Sequence, residues 1–418
     1  MQSIKVALIS VSLTFRVLLV FVLITPSQIA FSKDEVVLGL LVGREIDRDI
    51  YLDFVAKFSE QYINVEFDHI AANDTVYKLE IDNWLTQGKV DVSYGQVGNR
   101  LCRHASENKI ASLDNIWQDN DWDKYFSSNF KQSVSCNGKV YGVPIAYYYW
   151  GFFYKKSLFQ KLALSPPETW EQFLDVSQSL QLNGVVPFTI GTKNKWPAAA
   201  WFDYLNLRLN GLAFHQELLR GKLSFLTPKV RQVFEHWKTL VDRGYFIDDQ
   251  KQLDWQQALP FLYRDMAGMM LTGGFLANIL PAHLKEDIGF FRFPSITETV
   301  PMYEEVPIDV YLLNTLSSEN DGAKALLKFS AKSENQEWLS EKLGYLPPNF
   351  NARIPKGKFS IIGSEHVNNA AGHSQYFDRD AHRILAQIGP SVFADFIESG
   401  DIENALNALE SARLSISK

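Results

Sequence analysis

The sequence predicts an α/β fold. Over residues 35–95, short apolar segments alternate with segments of helical periodicity, which is the pattern of a parallel sheet covered by helices. Hydrophobic residues make up 46% of the chain and charged residues 21%, which are ordinary globular values that argue against disorder. The length of 418 residues favours two or three domains.

The first five elements follow from periodicity. The strand segments are short and either continuously apolar or alternating, whereas the helical segments have apolar residues at helical spacing. Asp49 is a possible N-cap of the first helix, and Gly88 ends the second. The predicted elements are strand 35–42, helix 49–62, strand 63–70, helix 77–88 and strand 90–95.

The ends of these strands predict part of a binding site. Ligands of parallel sheets lie at the carboxyl ends of the strands. The first strand is followed by Arg44 and Glu45, and the third ends at Tyr94 and Gln96. We therefore expect these four side chains on one wall of a cleft.

The N-terminus predicts a secretory signal peptide. After a lysine, residues 6–24 are apolar apart from Ser, Thr and Arg16, and "AFS" ends at Ser32 in a small-x-small cleavage pattern. The alternative is an uncleaved anchor, but Arg16 leaves an uninterrupted apolar run of only 17–24, too short to span a bilayer. The sequence therefore predicts a signal peptide at 1–32 and a periplasmic protein.

The charge balance disfavours nucleic acid as a partner. The formal net charge is −7, and loss of the signal peptide removes two basic residues and no acidic one. Phosphate neutralisation needs basic surface, and no basic run occurs. The same acidity disfavours an anionic ligand, although Arg44 keeps one possible.

The two cysteines predict a disulfide. Cys102 and Cys136 both belong to the mature chain, and the periplasm is oxidising. Two free buried thiols are the alternative. With no histidine pair nearby, the cysteines do not have zinc spacing, and we expect no metal site.

The middle of the chain continues the α/β pattern. A helix is predicted over 166–180, with Thr169 as a plausible N-cap and acidic residues in its first turns. The segments on either side of this helix have the pattern of strands, and glycines separate them. The predicted strands are 139–146, 151–159 and 185–191.

Three motifs carry a resemblance to a known family. They are "GKVYGVPIAYYYWGFFYKKSLFQKLALSPPETWEQFL" (138–174), "LPFLYRDMAGMMLTGGF" (259–275) and "GAKALLKFSAKSENQEWLSEKLGYLPPN" (322–349). In this order they resemble motifs of the extracellular solute-binding proteins of ABC importers, in the carbohydrate-binding group. The resemblance covers essentially the whole mature chain.

The resemblance implies a two-lobed periplasmic-binding-protein fold of type II with a cleft between the lobes. The chain would cross between lobes near 144–149 and near 307–311, and a third time after 344–350. The expected N-terminal lobe is 33–145 plus 310–346, and the C-terminal lobe is 146–309 plus 347–418. A sugar would be held between them by hinge closure.

The aromatic run at 147–150 lies beside the first crossover. Side chains alternate along a strand, so at most two of the four can face a cleft. Tyr148 and Trp150 form one face, and Tyr147 and Tyr149 form the other. Periodicity does not choose between the faces; we take Tyr148 and Trp150 as the ligand-binding pair.

Other candidate contacts follow from their position. Trp196 lies on a polar loop before a helix, and Asp203 lies in the first turns of that helix. Gly273 and Gly274, followed by Phe275, end a predicted strand, where glycine lets the backbone approach a ligand. Asp309 lies in the second crossover. The polar segment "HSQYFDRD" (373–380) is interpreted as a capped, solvated turn near the hinge.

The expected function is capture of a mono- or oligosaccharide for an ABC permease. Flat aromatic rings would cover the apolar face of the sugar, while polar side chains bind its hydroxyls. No catalytic or nucleotide-binding motif occurs, so we expect no enzyme and no cofactor. A sugar sensor that presents its closed form to a membrane kinase or chemoreceptor is the alternative. The protein is expected to be a monomer.

Overall fold

The computed structural model describes residues 34–43 and 45–416. The predicted signal peptide and the candidate contact Arg44 lie outside the described residues. Among those that are described, no helix combines the length and the apolar character needed to cross a membrane.

The fold is α/β and has two lobes, each built on its own sheet. The first part of the chain contributes β1 (Asp34–Leu41), α1 (Glu45–Gln61), β2 (Val65–Ala72), α2 (Asp74–Thr86), β3 (Val92–Gln96), α3 (Asn99–Ser106), α4 (Asp114–Asp119), α5 (Ser128–Ser133), β4 (Ser135–Cys136), β5 (Lys139–Val140) and β6 (Val143–Tyr147).

The middle of the chain builds the second sheet and the helices beside it. Its elements are β7 (Trp150–Lys155), α6 (Lys156–Lys161), α7 (Trp170–Leu182), β8 (Val186–Phe188), α8 (Trp196–Leu219), α9 (Pro228–Asp242), α10 (Leu259–Tyr263), β9 (Ala267–Gly273) and β10 (Ile288–Phe291).

The last part of the chain returns to both lobes. Its elements are β11 (Glu304–Glu305), β12 (Ile308–Leu313), α11 (Asp321–Ala331), α12 (Ser333–Leu343), α13 (Lys358–Asn368), β13 (His373–Ser374), α14 (Phe377–Asp380), α15 (Arg383–Ser399) and α16 (Ile402–Leu414).

The first sheet has the strand order β2-β1-β3-β12-β6. Its first three strands are parallel, and β12 runs antiparallel to both β3 and β6. The carboxyl ends of β1, β2 and β3 therefore meet at one edge. The second sheet has the order β10-β7-β9-β8, in which β7 is antiparallel to both neighbours and β8 is parallel to β9.

Several predicted boundaries shift by a turn. Asp49 lies inside α1, which begins at Glu45, and α2 begins at Asp74 because the Asn73 side chain accepts a bond from Val76 N. The strand predicted over 151–159 ends at Lys155, and α6 starts at the next residue.

A disulfide joins Cys102 in α3 to Cys136 in β4, the predicted pair. It closes a loop with a sequence separation of 34 residues. In the chain-entropy account, a crosslink of this length restricts the unfolded chain by roughly 3–4 kcal/mol.

Replacing both cysteines by serine is expected to lower the free energy of unfolding by roughly 3–4 kcal/mol, because the unfolded chain regains loop entropy. Urea unfolding with and without a reductant measures the loss. The midpoint of the wild type should fall on reduction, whereas the midpoint of the double variant should not change. Equal midpoints for the oxidised wild type and the double variant would contradict a stabilising disulfide.

Candidate functional site

A cavity of about 250 Å³ lies where the strand ends of the first sheet face the second lobe. We call it the cleft cavity. From the first lobe, residues after β1, the start of α2 and the end of β3 line it. From the second lobe it is lined by the start of α8, a loop at 254–256, Phe275 and the segment 376–379. The carboxyl ends of parallel strands thus form one wall.

Alternate side chains of the aromatic run at 147–150 face different surroundings, although Tyr148 and Tyr149 lie between β6 and β7 and not in a strand. Tyr148 and Trp150 line the cleft cavity. Tyr147 packs against Phe130 on the far side, with ring centroids 5.2 Å apart. Tyr149 packs against Phe290 inside the protein, with centroids 5.1 Å apart.

Trp150 lies at the centre of an aromatic cluster that forms the second-lobe wall. Its ring lies 4.5 Å from Tyr376, 5.7 Å from Trp196 and 5.8 Å from Phe275, between centroids. Trp255 packs edge-on against Phe275 at 5.0 Å. These rings give the cavity a continuous apolar wall.

Arg379 is the buried cation of the cavity. Its Nη1 donates to Asp309 Oδ1 at 3.0 Å, its Nη2 donates to the Tyr148 hydroxyl, and its guanidinium carbon lies 5.6 Å from the Tyr148 ring centroid. Burial raises the pKa of Asp309, and the charge of Arg379 opposes this rise. The pair joins β12 to α14 under the cavity floor.

Further polar contacts connect the two lobes. Lys78 Nζ lies 2.6 Å from Asp378 Oδ2 across the cleft and 2.7 Å from Asp74 Oδ2 on its own helix. Arg100 donates to Gln96 Oε1 at 2.9 Å and to the Asp378 carbonyl at 2.7 Å. Burial raises the pKa of Asp378, but the charge and hydrogen bond of Lys78 outweigh it and hold this pKa below its usual value.

The structure brings half of the predicted contacts together. Those that line the cleft cavity are Tyr94, Gln96, Tyr148, Trp150, Trp196 and Phe275. Glu45 is exposed at the start of α1 and does not line it. Asp309 lies beneath the floor and holds Arg379 rather than facing the cavity.

The glycines at the end of β9 make room for the wall rather than lining it. A Cβ on Gly273 would collide with the Phe275 ring and lie 2.9 Å from Trp150 Nε1. A Cβ on Gly274 would collide with the Tyr149 ring. Glycine is required here so that aromatic side chains can pack against backbone.

Asp203, predicted as a ligand contact, is instead fully buried in the second lobe. Its Oδ2 accepts a bond from Phe377 N at 2.9 Å, while its Oδ1 lies 3.7 Å from His215 Nε2. Burial lowers the pKa of His215 to about 3, so the ring is neutral. Burial, and next the charge of Glu305, raise the pKa of Asp203 well above its usual value.

Asp203→Asn is expected to flatten the dependence of stability on pH. A carboxyl whose pKa is raised on folding stabilises fully below its unfolded pKa, and this contribution disappears as pH rises through the folded pKa. Asn keeps an acceptor for Phe377 N and does not titrate. Melting temperatures between about pH 5 and about pH 9 should fall less in the variant than in the wild type.

Ligand affinity should be unchanged in this variant, because Asp203 does not line the cleft cavity. Identical pH slopes for the two proteins would contradict a raised pKa of Asp203.

The segment 373–380 is not the solvated turn that the sequence predicts, because part of it lines the cleft cavity. Tyr376, Asp378 and Arg379 line the cleft cavity, and Asp380 accepts a bond from Asn99 N across the cleft. The charged side chains of this segment form contacts between the lobes instead of facing solvent. Trp255 was also missed, because an isolated tryptophan in a polar loop has no periodicity that would reveal its partner.

Within the part of the chain that the structure describes, one group of side chains has ligand atoms close enough for a metal ion: Asp82, His104 and Glu107. However, Arg103 Nη1 lies 2.8 Å from Asp82, and Lys109 Nζ lies 2.6 Å from Glu107. Both carboxylates already bind cations, so this group does not resemble a metal centre.

Comparison with known proteins identifies relatives of the chain. Residues 45–337 match the family described as bacterial extracellular solute-binding protein. An uncharacterized ABC transporter extracellular-binding protein of Pyrococcus horikoshii is 25% identical over 319 residues, which cover 73% of this chain and 70% of that protein.

Solved structures share the fold. The bacterial solute receptor AcbH, described as preferring β-D-galactopyranose, superposes with a TM-score of 0.85 at 23% identity, covering 92% of this chain and 99% of AcbH. A chitin oligosaccharide binding protein superposes with a TM-score of 0.82 at 20% identity, covering 91% and 98%.

Proposed function

The chain belongs to the family of bacterial extracellular solute-binding proteins, and we propose that it captures a carbohydrate in the cleft cavity for an ABC importer. One observation carries the carbohydrate assignment: an aromatic wall around Trp150 faces charged hydrogen-bonding groups around Arg379 in a single cavity. A pyranose has an apolar C–H face and a rim of hydroxyls, which match these two surfaces.

The energetics of the two surfaces suit a sugar. Hydrogen bonds from hydroxyls to charged groups contribute roughly 1.5–3 kcal/mol each. Hydrogen bonds and salt bridges already fix the side chains of Arg379, Asp378 and Lys78. Ligand binding therefore costs little additional side-chain entropy. Polar specificity beside an apolar wall is the usual composition of a ligand site.

The cavity volume favours a small saccharide. At about 250 Å³, it lies just below the roughly 300–1,000 Å³ of typical ligand pockets. A monosaccharide or disaccharide is therefore the expected occupant. The solute receptor with a preference for β-D-galactopyranose supports this size by similarity of fold.

Capture would use closure of the two lobes. The bonds from Lys78 to Asp378 and from Asn99 to Asp380 join α2 and α3 to the segment around α14. A ligand that contacts Tyr94 and Gln96 on one side and Trp196 on the other would favour this closed arrangement. We propose a lobe division close to 33–145 plus 310–346 and 146–309 plus 347–418, with boundaries that keep β6 and β12 whole in the first sheet.

In this proposal the protein is a periplasmic monomer that releases its ligand chemically unchanged to a permease. The family name and the Pyrococcus relative support an ABC transporter context. A signal peptide at 1–32 would direct the chain across the inner membrane.

A thermal-shift screen of the mature protein against neutral mono- and disaccharides tests the carbohydrate assignment. A ligand at one hundred times its dissociation constant should stabilise the protein by about 2.7 kcal/mol and raise its melting temperature. Amino acids and polyols serve as controls and should produce no shift. If no saccharide shifts the melting temperature, the carbohydrate assignment is wrong.

A further inference from the structure

A second cavity of about 820 Å³ adjoins the cleft cavity and shares part of its lining. We call it the outer cavity. It lies between α2 and α3 of the first lobe and α15 and the start of α8 of the second. The two cavities share Lys78, Trp196, Asp378 and Arg379, among others, so a ligand longer than one unit could extend from one into the other.

Every carboxylate that lines the outer cavity is bound to a cation. Asp74 and Asp378 both bind Lys78 Nζ, at 2.7 Å and 2.6 Å. Asp82 binds Arg103 at 2.8 Å and Lys109 at 2.9 Å. Each acidic side chain of this surface therefore already has a cationic partner, although Asp74 and Asp378 share one lysine.

Three cations that line the outer cavity have no such partner. Arg100 donates only to neutral oxygens, the Gln96 amide and the Asp378 carbonyl. Lys195 Nζ donates to Ser391 Oγ at 2.8 Å, and Arg383 is exposed at the first residue of α15. Among the described residues, none of the three forms a salt bridge with a carboxylate.

A helix N-terminus adds to this positive surface, and the lowered pKa of a neighbouring histidine reflects the nearby cations. Arg383 begins a helix of 17 residues, whose N-terminus carries the positive end of the helix dipole. Burial lowers the pKa of His382, and the charges of Arg383 and Arg103 lower it further. The chain as a whole has 48 acidic and 41 basic residues, so a positive cavity is opposite to its average charge.

Lys195 has an unusual backbone conformation. Its φ of 66° lies in the left-handed region, which non-glycine residues adopt at a cost. This conformation begins α8 immediately before Trp196, which lines both cavities. The cation and the aromatic ring are thus neighbours along one path out of the cleft cavity.

We propose that the outer cavity binds an anionic substituent of a saccharide whose neutral ring occupies the cleft cavity. The ligand class is an acidic oligosaccharide, in which a uronic acid carboxylate or a sulfate ester supplies the negative charge. This inference rests on the proposed carbohydrate function. Lys195 and Arg383 would bind the anion from the second lobe, and Arg100 from the first.

Isothermal titration with matched disaccharides tests the proposal. Each neutral disaccharide is paired with the same compound carrying a uronic acid at the distal unit, and with its sulfated counterpart. Each new charge-assisted contact should tighten binding by roughly tenfold. The preference should shrink at high salt, since the outer cavity is open to screening. The uronate and sulfate arms distinguish the two sources of charge.

Two variants test the residues, and one serves as a control. Lys195→Gln and Arg383→Gln should each reduce the preference for the acidic ligand by roughly three- to tenfold and leave neutral affinity unchanged. Lys222→Gln removes a cation that binds Glu217 and does not line the outer cavity, so it should alter neither affinity.

The outcomes separate the two proposals. Neutral and acidic partners that bind equally at every salt concentration would overturn the anion site and leave the carbohydrate function intact. Variants that slow association but keep the affinity ratio would also overturn it, because the cations would then only steer the ligand. Failure of every saccharide to bind would overturn both.

Discussion

Arg379→Ala is expected to cause the largest loss of both stability and ligand affinity among single substitutions in the cleft. Removing the guanidinium leaves Asp309 buried without its cation, and breaking a buried ion pair costs about 3–5 kcal/mol. Affinity should fall by roughly ten- to a hundredfold, because a charged donor facing the cleft cavity is lost. Urea unfolding and isothermal titration measure the two effects.

The stability loss should depend on pH in a defined direction. Loss of Arg379 removes the charge and the hydrogen bond that lower the pKa of Asp309, so burial raises this pKa further. A raised folded pKa means that stability is lost as pH rises, so the deficit of the variant should be larger at high pH than at low pH.

A second substitution separates stability from binding. The double variant Arg379→Ala with Asp309→Asn should recover most of the stability and none of the affinity, since it removes the unpaired charge but not the lost donor. Arg353→Ala is the matched control: this exposed arginine binds Glu337 at 2.9 Å, and its loss should cost less than about 1 kcal/mol. Equal losses in both single variants would contradict the role of the buried pair.

Trp196→Ala is expected to weaken saccharide binding by roughly thirtyfold, the effect of removing an interface residue worth about 2 kcal/mol. Trp196 is half-buried and packs at 5.7 Å from Trp150 and 6.3 Å from Trp255, so its removal opens the apolar wall of the cleft cavity. Affinity should be measured by titration with the sugar that gives the largest thermal shift.

Trp338→Ala provides the control for Trp196. Trp338 packs against Phe54, with centroids 6.0 Å apart, and does not line the cleft cavity. It should lower the melting temperature without changing affinity. An unchanged affinity in Trp196→Ala would remove that residue from the site.

Features that depend on local sequence could be predicted. The alternation of strands and helices gave the α/β fold class, since hydrophobic periodicity and short buried strands are encoded over a few residues. The period of a strand predicted the pairing of Tyr148 with Trp150, and both line the cleft cavity. The sequence did not show that the run passes from β6 to β7, because that crossover depends on which sheet each strand joins.

Features that depend on contacts between distant parts of the chain could not be predicted. Arg379 contacts Asp309, which is 70 residues away in the sequence, and Tyr148, which is 231 residues away. No local sequence pattern predicts such contacts. Asp203 was a candidate contact because of its position in the first turns of a helix, whereas its carboxylate accepts a hydrogen bond from Phe377 N inside the core. In both cases tertiary packing decides which polar side chains reach the cavity.

The central claim is that a saccharide ring occupies the cleft cavity between Trp150 and Arg379. A crystal structure of the protein with the best-binding sugar tests it most directly. We expect the C–H face of the ring against the aromatic wall, and hydroxyl groups within hydrogen-bond distance of Arg379 or Asp378. A sugar bound elsewhere on the protein, with the cleft cavity holding only water, would contradict the claim.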